Sequence, residues 1–287
     1  MFINTSTQSS ISTSLSHYLD IPENELDQYI DYAAEKAQCN NYCFNTVIFQ
    51  SELTSIFSDL QPEERIDEIL LYHLTRRLNN SEIDYEAKNL KELLLSNSEL
   101  KQFLAEHNVA FEESNGHPII LYRNRVLSLR NTMDTDVCYL RGRLGYGSTQ
   151  GDYCFNGFAL RDLLMKNTYT RELYDGPEFI KILSRYLKNP AIQQDFFSNS
   201  TYYCLAYKLP FDLILFDGDD NMGENDKNDY FLTQLCMRLL EYKSINRRSL
   251  SDINNPILRV SDSLIVPEQF SFGSEIITLD MIKQACM

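Results

Sequence analysis

Gly116-His-Pro-Ile-Ile-Leu-Tyr-Arg-Asn-Arg-Val-Leu-Ser-Leu129 is where the hydrophobic period of this chain changes. Before it, apolar residues recur every three or four positions. Within it they fall into two short runs, Pro118–Tyr122 and Arg125–Leu129, joined at Asn124, the pattern of paired strands.

Working outward, Pro22-Glu-Asn-Glu-Leu places a proline and acids where a helix N-terminus favours them, and Leu26, Tyr29, Ile30 and Ala33 follow at helical spacing. A second helix is expected over Asn45–Leu60. A third opens at Pro62-Glu-Glu-Arg, with Ile66, Ile69, Leu70 and His73 on one face. A fourth runs from Ser81 to about His107, with a break at Asn97. Residues 1–16 are Ser/Thr-rich and read as a flexible tail. Residues 17–110 therefore read as a separable helical domain.

Downstream, Val137-Cys-Tyr-Leu reads as a further strand. Helices are expected over Phe158–Tyr174 and Pro177–Leu187, then strands over Tyr202–Tyr207 and Phe211–Phe216. A helix over Asp229–Lys243 and late strands at Ile257–Val260, Leu264–Val266 and Glu275–Leu279 complete the pattern. The fold class is α/β in the α+β sense. A helical N-terminal bundle precedes a mixed, mostly antiparallel sheet domain with helices, residues 111–287.

The composition, 43% hydrophobic and 23% charged, is that of a folded globular chain. No apolar run reaches the ~20 residues of a membrane span. The first residues carry no basic and apolar signal pattern, so the expected location is cytoplasmic, or outside by a signal-peptide-independent route. A formal charge of −15 argues against general nucleic-acid binding. It fits a protein partner better, and the Asn-rich, acidic style is compatible with a secreted bacterial effector. Seven irregularly spaced cysteines give no disulfide framework and no zinc pattern.

Half of the ten glycines lie in a loop over residues 142–157, among arginines, a Ser-Thr pair and an acid. Such a backbone permits close approach to an anion. Gly142, Arg143, Ser148 and Thr149 are its candidate binding residues. Cys138-Tyr-Leu-Arg141-Gly, Phe197-Ser198-Asn-Ser200-Thr and Gly273-Ser-Glu275-Ile-Ile-Thr-Leu occur in that order. Together they resemble the three site elements of ADP-ribosyltransferases of the Arg-Ser-Glu type. The resemblance implies that NAD is bound and its ADP-ribose transferred to a macromolecule. Arg141 would hold the pyrophosphate, Ser198 and Ser200 would prop the site, and Glu275 would stabilise a ribosyl cation.

An alternative rests on Gln38-Cys-Asn-Asn-Tyr-Cys43-Phe and Gly116-His117-Pro, which resemble the site of a papain-like cysteine peptidase or acyltransferase. There Cys43 would be the nucleophile and His117 its base, with Asn131 or Asp134 orienting the histidine and Gln38 serving the oxyanion. Gly151-Asp-Tyr-Cys154-Phe resembles the nucleophile segment of ovarian-tumour-type deubiquitinases, but no histidine follows His117. Leu213-Ile-Leu-Phe-Asp217-Gly-Asp219-Asp220-Asn221 reads as an exposed acidic turn, and no metal is expected there. A non-catalytic acidic interaction protein is the third reading.

Overall fold

The structure, a computed structural model, describes residues 1–40, 43–62, 64–79, 85–130, 133–146, 154–216, 219, 221–244 and 249–285. It begins with a short strand (β1, Phe2–Ile3) and two helices (α1, Gln8–Leu19; α2, Glu23–Ala37). A small hairpin (β2, Gln38–Asn40; β3, Cys43–Phe44) leads into α3 (Thr46–Leu60) and the long strand β4 (Glu68–Leu78). Two short helices (α4, Leu90–Leu95; α5, Glu99–Glu106) precede a meander of β5 (Val109–Ser114), β6 (His117–Tyr122) and β7 (Arg125–Val126). Then come α6 (Thr135–Arg143), β8 (Asn156–Phe158), α7 (Thr168–Tyr174), α8 (Glu178–Tyr186) and α9 (Pro190–Ser198). The C-terminal part holds β9 (Ser200–Pro210), β10 (Leu215–Phe216), α10 (Glu224–Ser244), β11 (Ile257–Arg259), β12 (Ser271–Ile276) and α11 (Leu279–Ala285). The fold is mixed α/β with antiparallel sheets, as its pattern of elements implies.

The main sheet runs β10-β11-β8-β4-β9-β12, with β1 added parallel to β4. Its spine is the β4–β9 ladder, in register from Glu68↔Pro210 to Leu78↔Ser200. Strand β4 is buried on both faces. Ile69 and Leu71 join Leu205, Tyr207 and Leu209 in one core, while Leu70, Tyr72 and Leu74 join Tyr202 and Cys204 in another. This replaces the helix expected after Pro62. The run Ile69-Leu-Leu-Tyr72 is apolar at every position, which a doubly covered strand requires and a helix face only mimics.

The same strand removes the expected boundary near residue 110. Ile11, Ile30 and Leu53 share a core with Leu209, Leu235 and Leu258, so residues 17–110 do not close a bundle of their own. Residues 1–16 are likewise no tail. Phe2–Ile3 pairs with Glu68–Ile69, Thr7 and Ser10 form a capping box, and Ile11 and Leu15 are fully buried. The serines and threonines that suggested mobility cap this helix and cover its outer side.

A second lobe packs the β5–β6–β7 meander against α4, α5, α6, α8 and α9, around Phe103, Phe111, Ile120, Leu140, Leu183 and Phe196. Arg123 and Asn124 both take positive φ, 52° and 61°, at the two-residue turn between β6 and β7. That is the geometry Asn favours. The strand expected at Val137–Leu140 is instead helix α6. Asp134 accepts hydrogen bonds from the backbone N–H groups of Asp136 and Val137, and Val137, Leu140 and Leu144 face the core at helical spacing. Gly142 and Arg143 therefore end a helix, and the loop expected over 142–157 is bounded by α6 and β8. Its residues 147–153 lie outside the described residues. The helix expected from Phe158 forms only from Thr168, because Asn156–Phe158 is drawn into the sheet.

Strands β8 and β4 meet at Tyr72↔Phe158 and then diverge like the arms of a fork. Gly157 lies in the crotch, where an added Cβ would stand 2.5 Å from both the Tyr72 carbonyl oxygen and Leu71 Cδ2. Backbone cannot yield as a side-chain tip can. Gly157→Ala is therefore expected to lower stability by about 2 kcal/mol in urea unfolding. A loss under a few tenths would mean that the arms separate freely.

Candidate functional site

Beyond Tyr72 no described strand pairs with β4 on the β8 side. That edge, from His73 to Asn79, instead forms one wall of a cavity of about 940 Å³. Cys154–Phe158 make the opposite wall. The second lobe closes the floor with Leu93 and Leu100, Tyr139 and Arg143 of α6, and Phe179 of α8. The cavity thus lies where the two lobes meet, bounded by a sheet edge on one side and helices on the other.

His73, Thr75 and Arg77 alternate along β4 and so share one face, opposite Leu205, Tyr203 and Thr201 of β9. The His73 ring packs on Phe155 with centroids 4.5 Å apart, and its Nδ1 lies 2.6 Å from the Asn156 carbonyl oxygen. A carbonyl only accepts, so Nδ1 carries the proton and donates. Burial pushes the imidazole pKa down to about 4; the Asn156 carbonyl opposes this and the Arg77 charge adds to it. At neutral pH the ring is uncharged, and Nε2 keeps its lone pair.

Arg77 and its neighbour Arg76 contrast sharply. Arg76 points to the other face and is engaged at all three of its nitrogens. Its Nε donates to Ser200 Oγ (2.9 Å), Nη1 to the Tyr174 carbonyl (2.6 Å), and Nη2 to the carbonyls of Ser200 (2.6 Å) and Phe197 (3.1 Å). Phe197 stacks on its guanidinium at 4.6 Å. The Arg77 side chain makes no hydrogen bond or ion pair among the described residues, and its Nε is buried without an acceptor. An orphaned buried N–H costs about 1–3 kcal/mol until something accepts it.

The described residues singled out by sequence lie on several separate elements. Arg141 lies on α6, its Nη1 donating to the Leu129 carbonyl (2.8 Å) and its guanidinium 5.8 Å from the Tyr146 ring centroid. Ser198 ends α9. Ser200 opens β9, where its hydroxyl donates to the Phe196 carbonyl and accepts from Arg76. Glu275 is held on edge strand β12 by Arg161, whose Nε is 3.0 Å from Oε2 and whose Nη2 also bonds it. Glu275 lines a separate shallow hollow with Ser6, Thr7 and Tyr242. Neither Arg141 nor Glu275 lines the fork cavity, whereas Arg143 does. Gly142 lies beside it in α6. Ser148, Thr149, Asn131 and Asp217 are outside the described residues.

Cys43 is exposed in the small hairpin between α2 and α3. His117 opens β6 in the other lobe and stacks on Tyr146 at 5.3 Å. The two make no hydrogen bond to each other, Asp134 is occupied as the α6 cap, and Gln38 follows α2 and pairs with Phe44 in the hairpin. The thiol and the imidazole sit on elements packed against different cores. Among the described residues no group of three His, Cys, Asp or Glu could hold a metal ion. No described helix is long and apolar enough to cross a membrane.

His73 and Arg77 were the residues hidden from sequence. Their signal is the alternation His73-Leu-Thr75-Arg-Arg77-Leu, polar on one face once the segment is read at a period of two. The chain matches no family model, no curated protein and no solved structure.

Proposed function

We propose that this chain binds an anionic small molecule in the fork cavity, with Arg77 as its first cationic contact. The observation that carries this reading is the buried Arg77 Nε with no acceptor, at the wall of a cavity of about 940 Å³. A volume of that order suits a cofactor-sized ligand. A guanidinium left unpaired in a chain of net charge −15 is a site that acidic surroundings would otherwise fill. Arg143 and Lys88 also line the cavity, Lys88 in an ion pair with Glu86, alongside the carboxylates of Glu99 and Glu178.

NAD is the first ligand to test, because a pyrophosphate takes the paired charge-assisted hydrogen bonds that guanidinium groups offer. In this form of the proposal Arg77 and Arg143 take the place that sequence alone gives to Arg141. Transfer of ADP-ribose to a protein target is the activity that would follow from such binding. The cysteine-peptidase reading has no comparable support, since Cys43 and His117 stand apart.

Calorimetry with NAD and with pyrophosphate tests the reading. Arg77→Met should weaken binding by about ten- to a hundredfold, the worth of a charged hydrogen bond. The same substitution should raise thermal stability slightly, by about 1 kcal/mol, because it removes the orphaned N–H. If the chain binds neither ligand at millimolar concentration, or binds both equally well after Arg77→Met, the anion site is wrong.

A further inference from the structure

We propose that His73 is the second ligand contact, its Nε2 accepting a hydrogen bond from a hydroxyl or N–H group on the same anionic molecule. The cavity would then select phosphate esters that carry a donor, of the sugar-phosphate or nucleotide kind, over bare anions. This inference rests on the anion site at Arg77, and the two can fail separately.

Three observations carry it. First, the imidazole is held at both its nitrogen and its face. Nδ1 is committed to the Asn156 carbonyl at 2.6 Å and the ring lies on Phe155, so Nε2 is aimed rather than free to turn. Second, Nε2 has no hydrogen-bond partner among the described residues, and His73 is part of the cavity wall. The charged neighbour acting on the ring is Arg77, which disfavours an imidazolium and leaves Nε2 an acceptor. A site with one obligate donor group and one obligate acceptor asks for a ligand with the reverse pair.

Third, the strand fixes the spacing. Residues i and i+4 on one face of a strand stand about 13 Å apart, and i and i+2 about 6.6 Å. His73 and Arg77 therefore mark the ends of a short ruler with Thr75 between them. Both side chains can lean inward, so the ligand's donor would sit about 7–13 Å from its anion. Tyr203, directly across from Thr75 and also lining the cavity, offers a ring beside the middle of that span. A planar group stacked there would add apolar contact without altering the polar code at the two ends.

The fork gives this arrangement its origin. Were β8 to continue alongside β4, its ladder would occupy the space that the cavity now fills. Instead the strands part after Tyr72↔Phe158, and the His73 side chain takes the Asn156 carbonyl in place of a backbone N–H. The departure from regular pairing opens the wall and orients the imidazole in one step.

The test compares adenosine 5′-monophosphate, which carries an anion and donors, with methyl phosphate, which carries only the anion. His73→Asn is the informative variant. Its side-chain amide can still donate to Asn156 from the Nδ1 position, and it places no acceptor where Nε2 stood. We expect His73→Asn to weaken adenosine monophosphate by about three- to tenfold while leaving methyl phosphate unchanged. Arg77→Met should weaken both. Nitrogen NMR of the wild-type imidazole gives a readout that needs no variant: the Nε2 resonance should move with adenosine monophosphate and stay with methyl phosphate. Equal binding of adenosine monophosphate by wild type and His73→Asn, or an unmoved Nε2 signal, overturns the role of His73 while leaving Arg77 in place. Failure of both ligands to bind wild type overturns both proposals together.

Discussion

Arg238→Met is expected to cost about 3–5 kcal/mol, a large share of the stability of an ordinary domain. Arg238 sits on α10 with its side chain 1% exposed. Its Nη2 bonds Asp252 Oδ1, its Nη1 lies 3.4 Å from Glu241 Oε2, and its Nε lies 3.7 Å from Asp162 Oδ2. One guanidinium thus faces three carboxylates, and Asp252 is fully buried at the side chain. Burial pushes the Asp252 carboxyl up from its usual range, while Arg238 and the amides of Asn255 and Asn167 pull it back. Without the arginine, the carboxylates would keep only neutral partners: Asn255 and Asn167 for Asp252, Tyr242 for Asp162. Breaking one side of a buried pair is costly because the remaining charge stays desolvated. Urea unfolding at pH 7 should show the loss as a lowered midpoint with an unchanged slope. Adding Asp252→Asn should recover part of it. A single-variant loss below about 1 kcal/mol would mean that water reaches this cluster.

The second large effect is a dependence of stability on pH that belongs to His73. Its folded pKa is about 4, against 6.5 for an ordinary histidine. Between those values the unfolded chain binds a proton that the folded chain refuses. The stabilisation is fully present above pH 6.5 and is lost as pH falls toward 4, by about 3 kcal/mol in all. His73→Asn removes the group, so the difference between wild type and variant isolates it from the carboxylates that titrate nearby. Unfolding midpoints at pH 7 and pH 4.5 are enough. The wild type should lose about 2–3 kcal/mol more than the variant across that interval. Parallel losses would show that the imidazole accepts a proton in place, without disturbing its bond to Asn156.

Local chemistry made part of this fold legible. Helices α2 and α3 and most of α10 follow from apolar spacing, and the turn at Arg123-Asn124 from the residue types that accept positive φ. Strand β4 is not legible in the same way, because four consecutive apolar residues fit a buried helix and a central strand equally. Its identity is decided by β9, more than a hundred residues away. Helix α6 shows the opposite failure. The run Val137-Cys-Tyr-Leu favours a strand by composition, yet Asp134 caps a helix there and Val137 and Leu140 bury on one face. Of the anion-site residues read from sequence, Arg143 does line the cavity. The rest of the wall depends on where β4 and β8 part, a long-range event with no local signature.

The β4–β9 ladder also sets an order of events during synthesis. Arg76 and Ser200, bonded in the finished protein, are separated by 124 residues of sequence. Closing so long a loop must precede any gain from the pairing, and such topologies fold slowly. As the chain leaves the ribosome, Ile69-Leu-Leu-Tyr72 waits with the long edge that β9 will pair uncovered until β9 has emerged. Segments of that kind are the ones that join neighbouring chains instead of their own. Truncations ending anywhere between β4 and β9 should therefore aggregate, while chains extending past Pro210 have the partner strand that keeps them soluble.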